Sequence, residues 1–306
     1  MKRLVIFVIT ALLLSSCSAG VRKGPSPDSG AVPLLSFVFD DGNDTDYLVA
    51  REVFKKQGVA ASFAVVTDWI NKKNYMTVSQ LLELQSDGFE IMSHTVSHPD
   101  LNSLDDKEIE SELSVSKATL EGWGLRVNNL VYPYNKNNSH VRELAGKYYR
   151  SARGGRSVLN PAVPDRYELK SYRFSYDTEK MKGLIDIASA EGQWFIVYLH
   201  YMYIKVKASR RNGDFKPGED LLFSPSGAAG RYRSEFLGWF YFVPLSGAPQ
   251  PGDIITGQSS KATSHLEEIL YNEKEAITEL IEYTHSRHPR MRIVTIDKGL
   301  DIYNVQ

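Results

Sequence analysis

Two apolar patterns take turns along the chain. Short apolar runs of strand length, Leu34–Phe39, Ala60–Val66, Phe89–Met92, Asn129–Tyr132 and Trp194–Leu199, each stop at a polar or turn residue. Between them apolar residues recur at helical spacing: from about Asp46 to Gln57, closed by Gly58; over Thr77–Ser86, through Leu81, Leu82 and Leu84; and from an N-cap at Ser103 to about Glu121. Further helices are expected near 139–147, 178–190 and 264–286, and further strands at Tyr149–Ala152, Leu169–Phe174 and Arg292–Ile296. Repeated strand then helix, with near-continuous apolar strands, predicts a parallel sheet with helices packed outside it. In a barrel of that kind the chemistry gathers at the C-terminal ends of the strands. Asp40, Asp41, His94, His98, Pro133, Tyr134 and His200 all fall at such ends.

One segment breaks the pattern. Residues 201–262 are rich in Gly, Pro, Lys and Arg, carry the aromatic cluster Trp239-Phe240-Tyr241-Phe242, and read as an insertion on the rim with short strands of its own. Its aromatic rings either stack on sugars or only pack the insertion against the barrel. No internal repeat is evident.

The first residues read as an export signal. Lys2 and Arg3 precede an apolar run from Leu4 to Leu14, too short to span a bilayer comfortably but of signal-peptide length. Cys17, the single cysteine of the 306-residue chain, follows Leu14-Ser15-Ser16 and resembles the lipidated cysteine of a bacterial lipoprotein. An ordinary signal peptide that happens to contain a cysteine is the other reading. Residues 18–33, Gly-, Pro- and Ser-rich, then form a flexible tether before a barrel spanning 34–306. The expected location is the cell envelope, membrane-anchored on the periplasmic or outer-membrane side. A formal net charge of −1 gives no field to attract nucleic acid, so no nucleic-acid partner is expected, and the chain is expected to be a monomer.

Candidate chemistry starts at Ser93-His94-Thr95-Val96-Ser97-His98. Imidazoles four residues apart share a face if the backbone turns helically there, which is a metal-site spacing; a polar loop with solvated histidines is the bland alternative. Upstream, Phe39 runs directly into Asp40-Asp41-Gly42. Adjacent carboxylates at the lip of a strand are costly unless a cation sits beside them. A metal held by one of them and both histidines would supply that charge.

Phe39-Asp40-Asp41-Gly42, Ser93 to His98, Tyr132-Pro133-Tyr134 and Leu199-His200, in that order, resemble the motifs of the NodB-homology polysaccharide deacetylases, carbohydrate esterase family 4. The resemblance implies an α/β fold, a distorted (β/α) barrel of about seven strands. It implies Asp41, His94 and His98 as ligands of a divalent metal, commonly zinc, with cobalt, nickel or manganese as alternatives. Asp40 matches the general base, His200 the general acid, Tyr134 the backbone donor to the oxyanion and Leu199 a wall of the acetyl pocket. The implied activity is removal of acetyl groups from an N-acetylated extracytoplasmic polysaccharide. An O-acetyl esterase on an acetylated glycan and a non-catalytic carbohydrate-binding lipoprotein are the alternatives. The chain departs from the pattern where the third motif's arginine and glycine are replaced by Val131 and Asn135. Arg153 or Arg156 could supply the missing cation, and Arg173 and Asp177 lie where a fourth motif belongs. Some deacetylases of β-1,6-linked glucosamine polymers share the Tyr-Pro-Tyr form.

Overall fold

The computed structural model describes residues 30–305; the expected signal peptide, Cys17 and most of the tether lie outside them. Eight strands come first: β1 (Leu34–Phe39), β2 (Ser62–Val65), β3 (Glu90–Ser93), β4 (Asn129–Val131), β5 (Ser151–Gly155), β6 (Leu169–Lys170), β7 (Tyr172–Arg173) and β8 (Trp194–Leu199). All their pairings are parallel, in the order β6-β5-β4-β3-β2-β1-β8-β7. Only Ser171 separates β6 from β7, so the two edges of the sheet are successive pieces of chain and the sheet wraps into a nearly closed barrel. Counting β6 and β7 as one broken strand, seven strands form the wall, as the sequence predicts.

Alternation along the strands divides the core in two. Leu34, Val38, Ala64, Met92, Val131, Leu169, Trp194 and Ile196 form one buried cluster inside the barrel. Leu35, Phe37, Phe39, Phe63, Ile91, Leu130, Phe195 and Val197 form another against the surrounding helices. Both faces are therefore apolar, which is why β1 and β8 read as continuous apolar runs. The buried Trp194 indole donates to Ser36 Oγ at 3.0 Å, and Ser36 donates to the Val294 carbonyl, so these two polar groups inside the barrel are satisfied.

The outer layer comprises α1 (Arg51–Lys56), α2 (Val78–Ser86), α3 (Asp106–Gly122), α4 (Ser139–Ala145), α5 (Thr178–Glu191), α6 (Glu273–Arg287) and α7 (Ile296–Ile302). Helix α3 starts later than Ser103, because Asp105 and Glu108 form a reciprocal capping box. The Ser103 hydroxyl instead donates to the Asp100 carbonyl and closes a turn.

Between β8 and α6 lies a second barrel, closed and antiparallel. Its strands are β9 (Ile204–Asn212), β10 (Asp220–Ser224), β11 (Ala229–Phe236), β12 (Trp239–Ser246), β13 (Ile254–Gly257) and β14 (Thr263–Asn272), in the order β10-β11-β12-β9-β14-β13. It has its own core, around Val206, Leu221, Phe223, Phe240 and Phe242. The pattern from 264 onward reads as helix, yet Thr263–Asn272 is a strand. Register shifts after Thr263, Leu266 and Ile269 are bulges that break the two-residue alternation and leave apolar residues at spacings of three and four. The helix begins at Glu273, where Asn272 caps it. Arg233 of β11 pairs with Asp44 and Asn74 beside the first barrel's rim, and the Met202 N–H donates to Thr45 Oγ1 at 3.3 Å. A last short strand, β15 (Arg292–Ile293), pairs with the start of β1. Among the described residues no helix is long and apolar enough to cross a membrane.

Candidate active site

The inward parity of the barrel strands carries on past their ends. Asp40 lies two residues beyond Val38, His94 two beyond Met92, and His200 two beyond Tyr198, so these side chains converge over the C-terminal mouth. Asp41, next to Asp40, would face away on a continuing strand. Its φ of 81° turns it back into the mouth, and Gly42 follows at φ 77° with Val65 and Ile70 packed where a β-carbon would sit.

The two histidines meet through a loop rather than the helical turn that their spacing suggests. Thr95 and His98 adopt left-handed conformations, φ 69° and 65°, and the His98 N–H donates to Thr95 Oγ1. Glu112 of α3 secures this loop by accepting from the Val96 and Ser97 N–H groups and the Ser97 hydroxyl. The imidazole rings lie 4.7 Å apart, edge to face, and Trp69 packs 5.3 Å from His98.

Asp41 Oδ1 lies 3.7 Å from Nε2 of both His94 and His98, and one ligand atom from each residue falls within 4.8 Å of the others. Around a tetrahedral ion with bonds of about 2.1 Å, ligand atoms are roughly 3.4 Å apart, so small side-chain adjustments would suffice. The donor chemistry fits as well. The Val131 carbonyl accepts from His94 Nδ1 at 2.8 Å, which leaves Nε2 as a lone-pair donor facing Asp41. Burial pulls His94 down to about 3 and lowers His98 too, so both rings are neutral, as ligands must be. Burial, with the Asp40 charge adding to it and Arg153 opposing, pushes Asp41 up to about 7. A cation among these three residues would supply the positive charge that this carboxylate lacks.

Asp40 is held from across the barrel. Arg153, on β5, donates from Nη2 to Asp40 Oδ2 at 2.6 Å, between strands that are not neighbours in the sheet, so the guanidinium spans the interior. Nη1 donates to Asn135 Oδ1 and Ser171 Oγ, and the guanidinium lies 4.8 Å from the centre of the Tyr198 ring. Of the two replacement cations that the sequence offers, Arg153 is the one at the site. The other oxygen, Asp40 Oδ1, is buried with no partner among the described residues.

Asp40, Asp41, His94, His98, Tyr134, Asn135, Tyr198 and His200 line one open cavity of about 410 Å³. Tyr134 and Asn135 stand on a tight turn after β4, at φ 58° and 56°, with the Tyr134 ring 60% exposed and 4.6 Å from that of His98. Left-handed backbone at five residues around one cavity is strain of the kind that gathers at functional sites. Burial lowers the His200 pKa, with Arg153 and Arg173 adding to the effect and Asp40 opposing it. Leu199 is buried and faces a smaller adjoining space with Arg173, Phe174 and Glu273. Asp177 caps α5 through the Lys180 N–H and lies outside the cavity lining.

Residues 29–150 match the family model described as polysaccharide deacetylase, a span that holds Asp40, Asp41, His94, His98 and Tyr134. Over these residues the chain is similar to the polysaccharide deacetylases. It is 31% identical over 110 residues to the Bacillus subtilis (strain 168) protein named "Putative polysaccharide deacetylase YxkH", a stretch covering 36% of this chain and 39% of that protein. It is also 33% identical over 135 residues to a gellan lyase of Bacillus sp, covering 44% of this chain and 5% of that protein. The chain thus spans well under half the length of these curated relatives. In fold it is similar to the Xyl-CE4 domain of a multidomain xylanase from the hindgut metagenome of Trinervitermes trinervoides. There the TM-score is 0.50 at 15% identity, over 90% of this chain and 92% of that one. Such a likeness concerns the fold, an α/β barrel of the deacetylase type.

Within this barrel, several contributors escape a reading by motif. The Val131 carbonyl that orients His94 is backbone, which any residue supplies, and Trp69 reaches His98 from a turn after β2. Asn135, a departure from the family glycine, becomes intelligible as a partner of Arg153.

Proposed function

We propose that this chain is a metal-dependent hydrolase that removes acetyl groups from an N-acetylated polysaccharide outside the cytoplasm. The observation that carries the reading is the pair of adjacent carboxylates with opposite surroundings. Asp41 faces the two imidazole Nε2 atoms, and Asp40 holds a guanidinium with one oxygen while the other is buried with no partner among the described residues. A divalent ion held by Asp41, His94 and His98, zinc by the nature of the donors, supplies a Lewis acid for the acetyl carbonyl and acidifies water. Asp40 Oδ1 takes the proton of the attacking water as general base. The Tyr134 N–H donates to the oxygen that gains charge as the carbonyl becomes tetrahedral. His200, at the opposite lip, returns a proton to the departing sugar amine, while Leu199 faces the adjoining space and not the cavity that would take the acetyl group. A pure binder has no use for a partnerless buried carboxylate oxygen, which favours turnover. The pattern of residues 1–17 supports export and lipid anchoring at Cys17, which places the substrate in the cell envelope.

The test is acetate release from a panel of N- and O-acetylated glycans. Activity should vanish on chelation and return with zinc or cobalt, and Asp40→Asn should abolish release while metal content, measured by elemental analysis, stays that of the wild type. Turnover indifferent to chelation would overturn the mechanism, and loss of metal in the Asn variant would exchange the roles of the two carboxylates.

A further inference from the structure

We infer that the outer face of the second barrel, across β12, β9 and β14, is a glycan-binding platform that extends the catalytic cavity along the polymer. The inference rests on the deacetylase reading above and adds where the rest of the chain of sugars lies.

The alternation of these strands sorts their side chains. Ile204, Val206, Phe240 and Phe242 fill the barrel, whereas Lys205, Trp239, Tyr241 and Tyr271 face outward and stay half-buried. Register sets Tyr241, Lys205 and Tyr271 in one row across three neighbouring strands. The Lys205 ammonium lies 4.7, 5.6 and 5.3 Å from the ring centres of Trp239, Tyr241 and Tyr271, and no carboxylate pairs with it among the described residues. Aromatic rings offer faces to the C–H surfaces of sugar rings, and an ammonium with no carboxylate partner offers three donors to hydroxyl or carboxylate oxygens.

This row connects to the catalytic cavity without a break. Tyr176, from the turn before α5, stacks on Tyr271 at 3.8 Å and donates its hydroxyl to Glu273. Glu273 also accepts the Tyr203 N–H, Tyr203 stacks on Tyr201 at 4.8 Å, and the Tyr201 ring lies 6.1 Å from that of His200. Rings that served only to cement the two barrels would be covered, yet Tyr176 and Tyr201 remain 47% and 41% exposed. The cavity itself, about 410 Å³, has the size of a small-molecule site, so a polymer must lie on surface beyond it.

The test compares soluble N-acetylglucosamine polymers, in β-1,4- and β-1,6-linked forms, with the corresponding trimers, using the wild type and the Trp239→Ala and Tyr176→Ala variants. The ratio of polymer KM to trimer KM should rise about fivefold or more in each variant, in keeping with loss of one ring contact. Thermal unfolding shows whether each variant is folded, and Tyr176, on a turn outside the second barrel, keeps the test sound should Trp239→Ala unfold. A second arm uses retardation of full-length Asp40→Asn protein in gels containing each polymer, which does not require turnover. Retardation by at least one polymer, lost on adding Trp239→Ala, supports the platform. Acetate release from the trimers with an unmoved KM ratio overturns the platform and leaves the deacetylase reading standing. Failure to release acetate from any probe, with retardation intact, overturns that reading and leaves a glycan-binding face. Absence of retardation by both polymers overturns the platform.

Discussion

The two oxygens of Asp40 keep different company: Oδ2 receives the Arg153 guanidinium, and Oδ1 is buried with no partner among the described residues. Both side chains are nearly inaccessible to water, and the pair is costly to break because either partner alone is an uncompensated buried charge. Replacing Arg153 with Met should cost about 3–5 kcal/mol of stability, read from denaturant unfolding. The variant should also lose most of its acetate release, because the carboxylate is left without the cation that holds it. A variant of undiminished rate would show that Asp40 needs no cation. This contact also marks the limit of reading by motif. Asp40, Asp41, His94 and His200 are legible because each closely follows an apolar strand, and His98 because it stands four residues after His94. Arg153 meets Asp40 only after the sheet has curled round, and its neighbours Arg150 and Arg156 carry the same charge in sequence; Arg150 instead bonds Asp297 and Asp301 at the other end of the barrel.

Elements reach the chemistry through the loops they restrain. Glu112, in the middle of α3, takes the N–H groups of Val96 and Ser97, and so fixes the stretch between the two histidines. Partners of this outer kind typically change metal affinity 10- to 100-fold. Glu112→Ala should weaken zinc binding by about that factor while the helix persists, which competition with a chromogenic chelator and far-UV circular dichroism would show together. Unchanged affinity would mean that the loop holds itself. Element boundaries were legible wherever periodicity was clean: β8 runs over the predicted Trp194–Leu199. They were illegible where bulges imitate a helix, as in β14, and where left-handed residues replace a turn of helix, as at Thr95 and His98. Spacing in sequence gives neighbourhood, and only the backbone conformation decides how two side chains meet.

At the scale of the molecule, the barrel's two ends have different tasks. The end away from the cavity holds Glu90, partly buried and bonded by Asn129, Ser62 and the Asp297 N–H. Burial pushes this carboxyl up to about 7, well above its unfolded value of about 4.3. Between those pH values the folded chain keeps a proton that the unfolded chain has released, so stability falls as the pH rises through that window and the loss is complete above it. The total is on the order of 3 kcal/mol at about 1.4 kcal/mol per unit. Melting temperatures should therefore decline from pH 5 to 7.5 in the wild type and decline less in Glu90→Gln. The remaining slope combines Glu273 and Asp41, which burial also pushes up to about 7, with His94 and His98, whose lowered values act in the opposite sense. Equal slopes in both proteins would remove Glu90 from the account.

The break at Ser171 has a further consequence. A single stretch of five residues bonds to β5 with its first part and to β8 with its last, so it is the clasp of the whole hoop. Its central hydroxyl also accepts from the arginine that steadies Asp40. Any breathing of the clasp would therefore be felt at Asp40, and amide exchange at Leu169 and Tyr172 should accelerate in step with loss of acetate release as the protein is warmed.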